Sequence, residues 1–275
     1  MMKFLHPKNP LADSEWDILQ RVVRNVGNSN VVRRFIETTP DMGAGFQTVP
    51  TESLIGITEG EITLMGSDGI PIQTGARSSG VVPIIFHDFV MHWRDLAECR
   101  LTKQSFPISK AAAAASSCAR AEDKFVLFGH TPFGYEGLMN VEGRNVVSGL
   151  RWGKPGDAFD NFTRITRLLL EKGYHGPFAA VVHPHIHADM YRVIEGSPLL
   201  EITHVRSLLT GGVFRSSLLA PRSGLVVSMG RENIELFVSV DTSVAFLGAK
   251  KMNLPFRVFK AVYLRILRND AICTF

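Results

Sequence analysis

The stretch that decides the fold is Ser109 to Phe128, SKAAAAASSCARAEDKFVLF, the longest uninterrupted helical signal in the chain. It contains neither Gly nor Pro, Pro107 suits the first turn where its missing N–H costs nothing, and Gly129 stands where a helix stops. Small or apolar residues recur at Ala111, Ala114, Cys118, Ala121, Phe125 and Phe128. Alternating steps of three and four give one continuous apolar face, narrow in its alanine-rich half. Such a helix can approach a sheet or another backbone closely. Lys110, Arg120, Glu122, Asp123 and Lys124 are expected mostly on other faces, the two acids near the exit into FVLFGHT. The run reads as the buried spine of an α/β domain rather than as a catalytic element.

Composition narrows the class. A chain of 275 residues, 45% of them hydrophobic, buries a real core and is not globally disordered. The net charge of +4 comes without the Lys/Arg runs of a nucleic-acid tail, so no nucleic-acid partner is expected. Cys99, Cys118 and Cys273 are far apart and form no CxxC pair, which argues against a disulfide framework or zinc knuckle. The opening MMKFLHPKNPLADS has no apolar run of signal-peptide length, and no stretch approaches a membrane span. The expectation is a cytoplasmic protein with no membrane partner.

Before the spine, Asp13 or Ser14 is expected to cap a helix carrying the stripe Trp16, Leu19, Val22, Val23 and Val26. The stripe is either core or a groove for a partner peptide. VVRRFIE follows as a short strand or helix. From Thr39 to Ser79 the chain turns rich in Gly, Pro, Ser and Thr, with short alternating runs such as EITLM and IPIQ around Ser-Asp-Gly turn chemistry. This is a long two-stranded arm. It has too few large apolar residues to stand alone in water, so support from another chain is expected. VVPIIFHDFVMH then reads as a strand and Trp93 to Leu101 as a helix.

After the spine, no glycine cluster matches a phosphate loop. A second helix runs from Asp157, expected as its N-cap, to Gly173. Phe178 to Val182 is a buried strand, and HADMYRVIE and LLEITHVRSLL are short helices on either side of Gly196, Ser197 and Pro198. GVFRSSLLA, LVVSM, IELFVSV, VAFL and FRVFKAVYLRIL read as strands. Lys250, Lys251, Arg257, Lys260, Arg265 and Arg268 alternate with apolar residues, the pattern of a strand with one wet face.

Chemistry-bearing motifs are sparse. His183, His185 and His187 in HPHIH would share a face on an extended strand, but Pro184 intrudes and HExxH is absent. The simpler reading is a solvated strand-to-helix turn, so no metal site is expected. There is no GxSxG elbow, and no cysteine has a neighbouring His. No catalytic residue is expected.

The order of these segments resembles the family 1 encapsulins, shell proteins related to tailed-phage major capsid proteins. LADSEWDILQRV looks like the family's opening helix, GARSSGVVPII like the return of its extended arm, and FHDFVMHWRDL like the strand leading into a Trp-containing helix. AEDKFVLFGH is similar to the acidic end of its spine helix. KGYHGPFAAVV, PLLEITHVRSLL, GGVFRSS, SVDTSVAF and the ending NDAICTF follow in the family's order and spacing. The resemblance spans essentially the whole chain.

It implies an α+β, Hong-Kong-97-type major capsid fold with peripheral domain, axial domain and extended arm. The implied division is 1–38 for the N-terminal helix and start of the peripheral domain, 39–79 for the arm, and 80–137 for the rest of the peripheral domain with the spine. Residues 138–229 form the axial domain and 230–275 the return strands of arm and peripheral domain. It further implies a non-enzymatic shell of on the order of sixty copies, or a multiple, in icosahedral symmetry. The shell would enclose a ferritin-like protein or a dye-decolourising peroxidase held by its C-terminal targeting peptide, in iron storage or oxidative-stress defence. The peptide groove would be lined by Ile18, Leu19, Val22 and Val23. The loop Glu195, Gly196, Ser197, Pro198 corresponds to the family's five-fold pore loop, where Glu195 would favour cations. Some relatives hold a flavin against a tryptophan, and Trp93 is the matching position; no other cofactor is implied. Two other readings stay open: a prophage major capsid protein, and a metal-dependent hydrolase using the HPHIH histidines.

Overall fold

The alanine-rich run is helix α3, Ser109–Phe128, in the computed structural model, which describes residues 10–55, 60, 64, 71–102 and 105–275. Its buried face is Ala111, Ala114, Ala115, Cys118, Ala119, Glu122, Asp123, Phe125, Val126 and Leu127. That face differs from the expected one, because Ala121 is exposed while Glu122 and Asp123 are inside. Gly129 ends the helix at φ +67°, and a Cβ there would lie 2.1 Å from the Tyr135 carbonyl oxygen, so the close return of the chain demands glycine.

Helix α1, Asp13–Gly27, lies against α3. Neither Asp13 nor Ser14 caps it. Ala12 occupies the cap position, and the Glu15 carboxylate reaches back to accept its N–H at 2.9 Å. Trp16, Leu19 and Val23 of α1 meet Ala111, Ala114, Ala115 and Cys118, with Phe89, Phe256 and Val258 closing the cluster. Small residues on α3 thus make room for the large ones on α1 and the sheet. VVRRFIE resolves into a single 3-10 turn, Val32–Arg34, followed by strand β1, Glu37–Thr38.

Two sheets share the rest of the core. The first has the order β1-β9-β10-β4, with β4 at Ile84–Met91, β9 at Ile234–Phe246 and β10 at Leu254–Ile266. IELFVSV and VAFL, read separately from sequence, are one continuous strand of 13 residues. The second has the order β5-β11-β8-β6-β7, from β5 Asn145–Val146, β6 Phe178–Val182, β7 Gly212–Arg215, β8 Gly224–Ser228 and β11 Ile272–Thr274. Helix α4, Asp157–Glu171, buries Phe162, Ile165 and Leu169 against this sheet together with α6, Glu201–Leu208. Gly156, not Asp157, precedes α4 as its cap; the Asp157 carboxylate instead accepts from the Lys154 N–H at 2.9 Å. The chain end lies apart from the expected division at residue 230, because β11 pairs with β8 inside the second sheet.

The remaining strands, β2 Thr48–Ile55 and β3 Gln73–Val81, form a separate antiparallel ribbon, and α2 spans Trp93–Thr102. The ribbon covers part of the 39–79 expected for the arm and runs on to Val81, whereas Thr39 and Met42 donate their N–H groups to Leu236 and Val238 of β9 at 3.0 and 3.2 Å, so the start of that span follows the first sheet. EITLM apart from Leu64, the Ser-Asp-Gly turn and the start of IPIQ lie outside the described residues.

At the centre of the first half sits a cluster of buried charges. Lys260 alternates in phase with the inward Phe256, Val258, Val262 and Leu264 of β10, so it points into the core and is fully buried, not on a wet face. Its ammonium donates to Glu122 of α3 and, at 2.7 Å, to the Gly27 carbonyl that ends α1. Arg33 donates to Glu122 at 2.8 Å and to Asp241 of β9 at 2.9 Å. Asp123 accepts the N–H groups of Val32 and Val31 at 3.0 and 3.2 Å. Burial pushes the Lys260 ammonium below its usual range, with Glu122 opposing it, and pushes the Asp123 carboxyl up against the pull of those two N–H groups. Removing one member of such a set strands its partner's charge. Lys260→Ala is therefore expected to destabilise by about 3–5 kcal/mol, whereas Lys260→Met with Glu122→Leu loses much less, as read by the thermal unfolding midpoint of each variant.

Candidate functional site: exposed edges and loops

The ribbon leaves the body through a narrow base. Val49 and Val82 pack with Phe237, Val240 and Ala261, and Tyr135 donates its hydroxyl to the Val81 carbonyl at 2.8 Å. Gly80 lies flat on Tyr263: a Cβ there would sit 2.2 Å from the ring. Beyond this base, the described side chains are exposed or half-buried, and Glu52 pairs with Arg77 at 2.7 Å in solvent. Two strands with so little covering are marginal alone.

Strand β4 closes one side of the first sheet, and among the described residues no strand pairs with its outer edge. Ile84, Phe86 and Val90 stand exposed along it, and Arg257 stacks 4.1 Å from the Phe86 ring centroid while gripping Asp88 at 2.7 and 2.8 Å. The alternation of VVPIIFHDFVM carried this signal, and the sequence reading passed over it. An apolar, open edge beside a thinly covered ribbon is what a chain completed by its neighbours presents.

The four expected groove residues divide. Leu19 and Val23 are fully buried in the core, while Ile18 is exposed and Val22 half-buried. One helical turn apart, Ile18 and Val22 form a low apolar ridge rather than a groove wall. The start of α1 is fixed from outside by Arg100 of α2, which donates to Glu15 at 2.6 and 2.9 Å and to the Pro10 carbonyl at 3.1 Å. The Arg100 hydrogen bond holds the Glu15 carboxyl below its usual range.

The loop Glu195 to Pro198 is a tight excursion. A bridge between Val193 and Leu200 closes it, Ser197 donates its N–H to the Ile194 carbonyl at 3.0 Å, and Gly196 turns at φ +82°. The Ser197 hydroxyl meets His204 Nε2 at 3.0 Å and accepts the Leu199 N–H at 3.2 Å, so the loop is pinned to α6. Glu195, exposed, has no hydrogen-bond or ion-pair partner among the described residues. Its carboxylate is free to set the local potential.

Trp93 opens α2 with its indole partly exposed, the His92 ring 6.3 Å away and the Arg94 guanidinium 5.7 Å from its centroid. The ring thus offers a partly exposed aromatic surface with a cation beside it.

HPHIH does not lie on a strand. It opens helix α5, Pro184–Asp189, with His183 as its cap accepting the His185 N–H at 3.2 Å; the His183 and His185 rings meet edge-on, 4.7 Å between centroids, while His187 lies against Tyr191 instead. No group of three or more His, Cys, Asp or Glu converges among the described residues. Burial pushes the thiols of Cys118 and Cys273 to about 11, leaving them inert apolar filler. Among the described residues no helix is long and apolar enough to cross a membrane.

Comparison with known proteins agrees with this surface. A family model described as "Encapsulating protein for peroxidase" matches residues 2–263. The chain is 41% identical over 271 residues to a type 1 encapsulin shell protein of Myxococcus xanthus, covering 98% of this chain and 94% of that one. It is 31% identical over 261 residues to a diheme-cytochrome-encapsulin shell fusion protein of Kuenenia stuttgartiensis, covering 94% and 72%. Among solved structures, a virus-like particle from Pyrococcus furiosus aligns with a TM-score of 0.76 at 15% identity over 96% of this chain and all of that one. The capsid of Myoviridae phage XM1 aligns with a TM-score of 0.64 at 13% identity over 89% and 90%.

The ribbon base supplies a direct test. Gly80→Ala forces Tyr263 away from β3 and is expected to cost about 1–3 kcal/mol, seen as a lower thermal midpoint and faster proteolysis within the arm. Adding Tyr263→Ala should relieve the clash, so that Gly80→Ala costs less in that background than in the native one.

Proposed function

Because the chain belongs to the encapsulin shell-protein family, whose members build capsid-like particles on the fold of tailed-phage capsids, we propose that its particle encloses a separate cargo enzyme and governs what reaches it. The protein is structural and not an enzyme. The observation that carries the proposal is the pairing of an open apolar edge on β4 with a ribbon that lacks covering of its own. Each subunit thereby supplies what its neighbour lacks, and repeated contacts of this kind close into a shell of on the order of sixty subunits or a multiple.

The cargo reading draws support from two relatives. The matching family is described as encapsulating a peroxidase, and one relative carries a diheme cytochrome fused to its shell segment. Both are redox proteins, which favours oxidative-stress defence or iron storage in the cytoplasm, with a dye-decolourising peroxidase or a ferritin-like protein as cargo. A C-terminal targeting peptide would dock by laying apolar side chains along Ile18 and Val22. A flavin, where present, would stack on Trp93 beside Arg94 and add a redox-active ring to the shell. Copies of Glu195 gathered around a symmetry axis would make a carboxylate ring that admits cations. A prophage capsid shares the fold, but the phage match is 13% identical against 41% for the encapsulin shell, which favours the container over the DNA capsid.

Three experiments test this. Electron microscopy and light scattering of the recombinant chain should show closed particles of megadalton mass; a stable, solitary subunit would end the container reading. In particles co-expressed with a peroxidase bearing a C-terminal apolar peptide, Ile18→Asp with Val22→Asp should cut cargo recovery about tenfold, the loss of roughly 1.4 kcal/mol of docking energy, with particle size unchanged. For the loop, Glu195→Gln should slow ferrous-ion uptake by loaded particles without affecting assembly, and equal uptake would remove the cation filter.

A further inference from the structure

A cavity and a motif that the shell reading does not use coincide. The cavity, about 540 Å³, is lined by Pro184, His187, Ala188, Tyr191, Arg215 and Ser217. His187 is more than nine-tenths buried, yet its imidazole has no hydrogen-bond partner among the described residues; it lies against the Tyr191 ring, 5.4 Å between centroids, and borders the cavity. Its ring nitrogens are not sealed in the core but accessible beside the cavity, where a ligand or water can meet them.

The surrounding charge has one sign. No carboxylate lines the cavity, and Arg215 at the end of β7 has no ion-pair partner among the described residues. Arg206 of α6 is near enough for its charge to act on His187, and Arg120 of α3 reaches Ser217 Oγ at 3.5 Å. The nearest acid of α5, Asp189, is taken by Arg192. The remaining titratable groups of this helix are His183, whose Nδ1 accepts the His185 N–H, and His185, whose ring stands edge-on to it.

We propose that this cavity binds a small tetrahedral oxyanion of the phosphate or sulfate class, with Arg215 as the charged clamp, Ser217 as a hydroxyl donor and His187 as a donor from the cavity floor. The guanidinium supplies paired donors in a fixed plane, the geometry a tetrahedral anion accepts. His187 adds pH control. Burial first, then Arg215 and Arg206, hold its imidazole below the ordinary proton affinity, so the empty site carries it neutral. An anion beside it favours the protonated form, and affinity therefore rises as pH falls.

The test uses assembled particles and radiolabelled sulfate, whose charge is constant over the range studied, in equilibrium dialysis at fixed ionic strength. Expected are saturation at one sulfate per subunit, affinity that increases between about pH 8 and about pH 5.5, and a loss of about tenfold in Arg215→Gln. His187→Gln should bind with affinity independent of pH. Arg215 and Ser217 are exposed, so Arg215→Gln and Ser217→Ala are expected to assemble normally and keep the test decisive even where His187→Gln does not fold. Absence of saturable binding, or equal affinity in wild type and Arg215→Gln, overturns the proposal.

Discussion

The bridge from Lys260 to Glu122 is the contact on which the rest of the first half depends. A full charge placed in an apolar core is tolerable only when it is paired and hydrogen-bonded. Here the ammonium answers the last carbonyl of α1 and the carboxylate of α3, and Arg33 extends the set to Asp241 on β9. Asn28 ties the same Asp241 to the end of α1 at 2.9 Å, and Thr242 donates to Asn28 at 2.6 Å. Two helices, a 3-10 turn and two long strands are therefore fixed to one point. Apolar packing alone, sliding alanines against a sheet, would set their distance without fixing their register.

This rigidity contrasts with the periphery. Among the described residues, the ribbon is held at its base by Val49, Val82 and Tyr135 and thinly covered beyond it, and no strand pairs with the outer edge of β4 beside Ile84, Phe86 and Val90. A subunit with a locked interior and unfinished margins can present the same surfaces in every copy, which closed symmetry requires. Arg257 moderates the exposed edge: it covers Phe86 and is itself neutralised by Asp88. The second sheet is the more self-contained half, with helices α4 and α6 over one face and the chain terminus tucked in as β11. Its loops, among them Glu195 to Pro198, are free to vary because that core is complete without them.

Read by itself, the sequence determined the large elements. The spine's limits follow from Pro107 and Gly129 with nothing between them to break a helix, and the thin, polar character of the arm follows from its lack of large apolar residues. The joint order of motifs such as LADSEWDILQRV and AEDKFVLFGH was enough to indicate the family and its fold, because order over a whole chain is specific where each segment alone is not. The strand-to-helix turn at HPHIH was also legible, since Pro184 cannot continue the strand that ends at Val182 and opens helix α5.

Only the tertiary structure decided where the charges went. Lys260 sits in phase with Phe256, Val258 and Val262, so its inward direction was present in the alternation, but a lysine's burial depends on a partner 138 residues away. The same holds for Glu122 and Asp123, whose places on α3 become interior only because Arg33, Lys260 and two backbone N–H groups arrive from elsewhere. Likewise, the apolar residues of α1 became core at Trp16, Leu19 and Val23 but stayed half-buried at Val22 and exposed at Ile18, since the width of the face that meets α3 is set by packing. Periodicity gives the direction of a side chain along its own element; what waits there is fixed by residues distant in the chain and near in space.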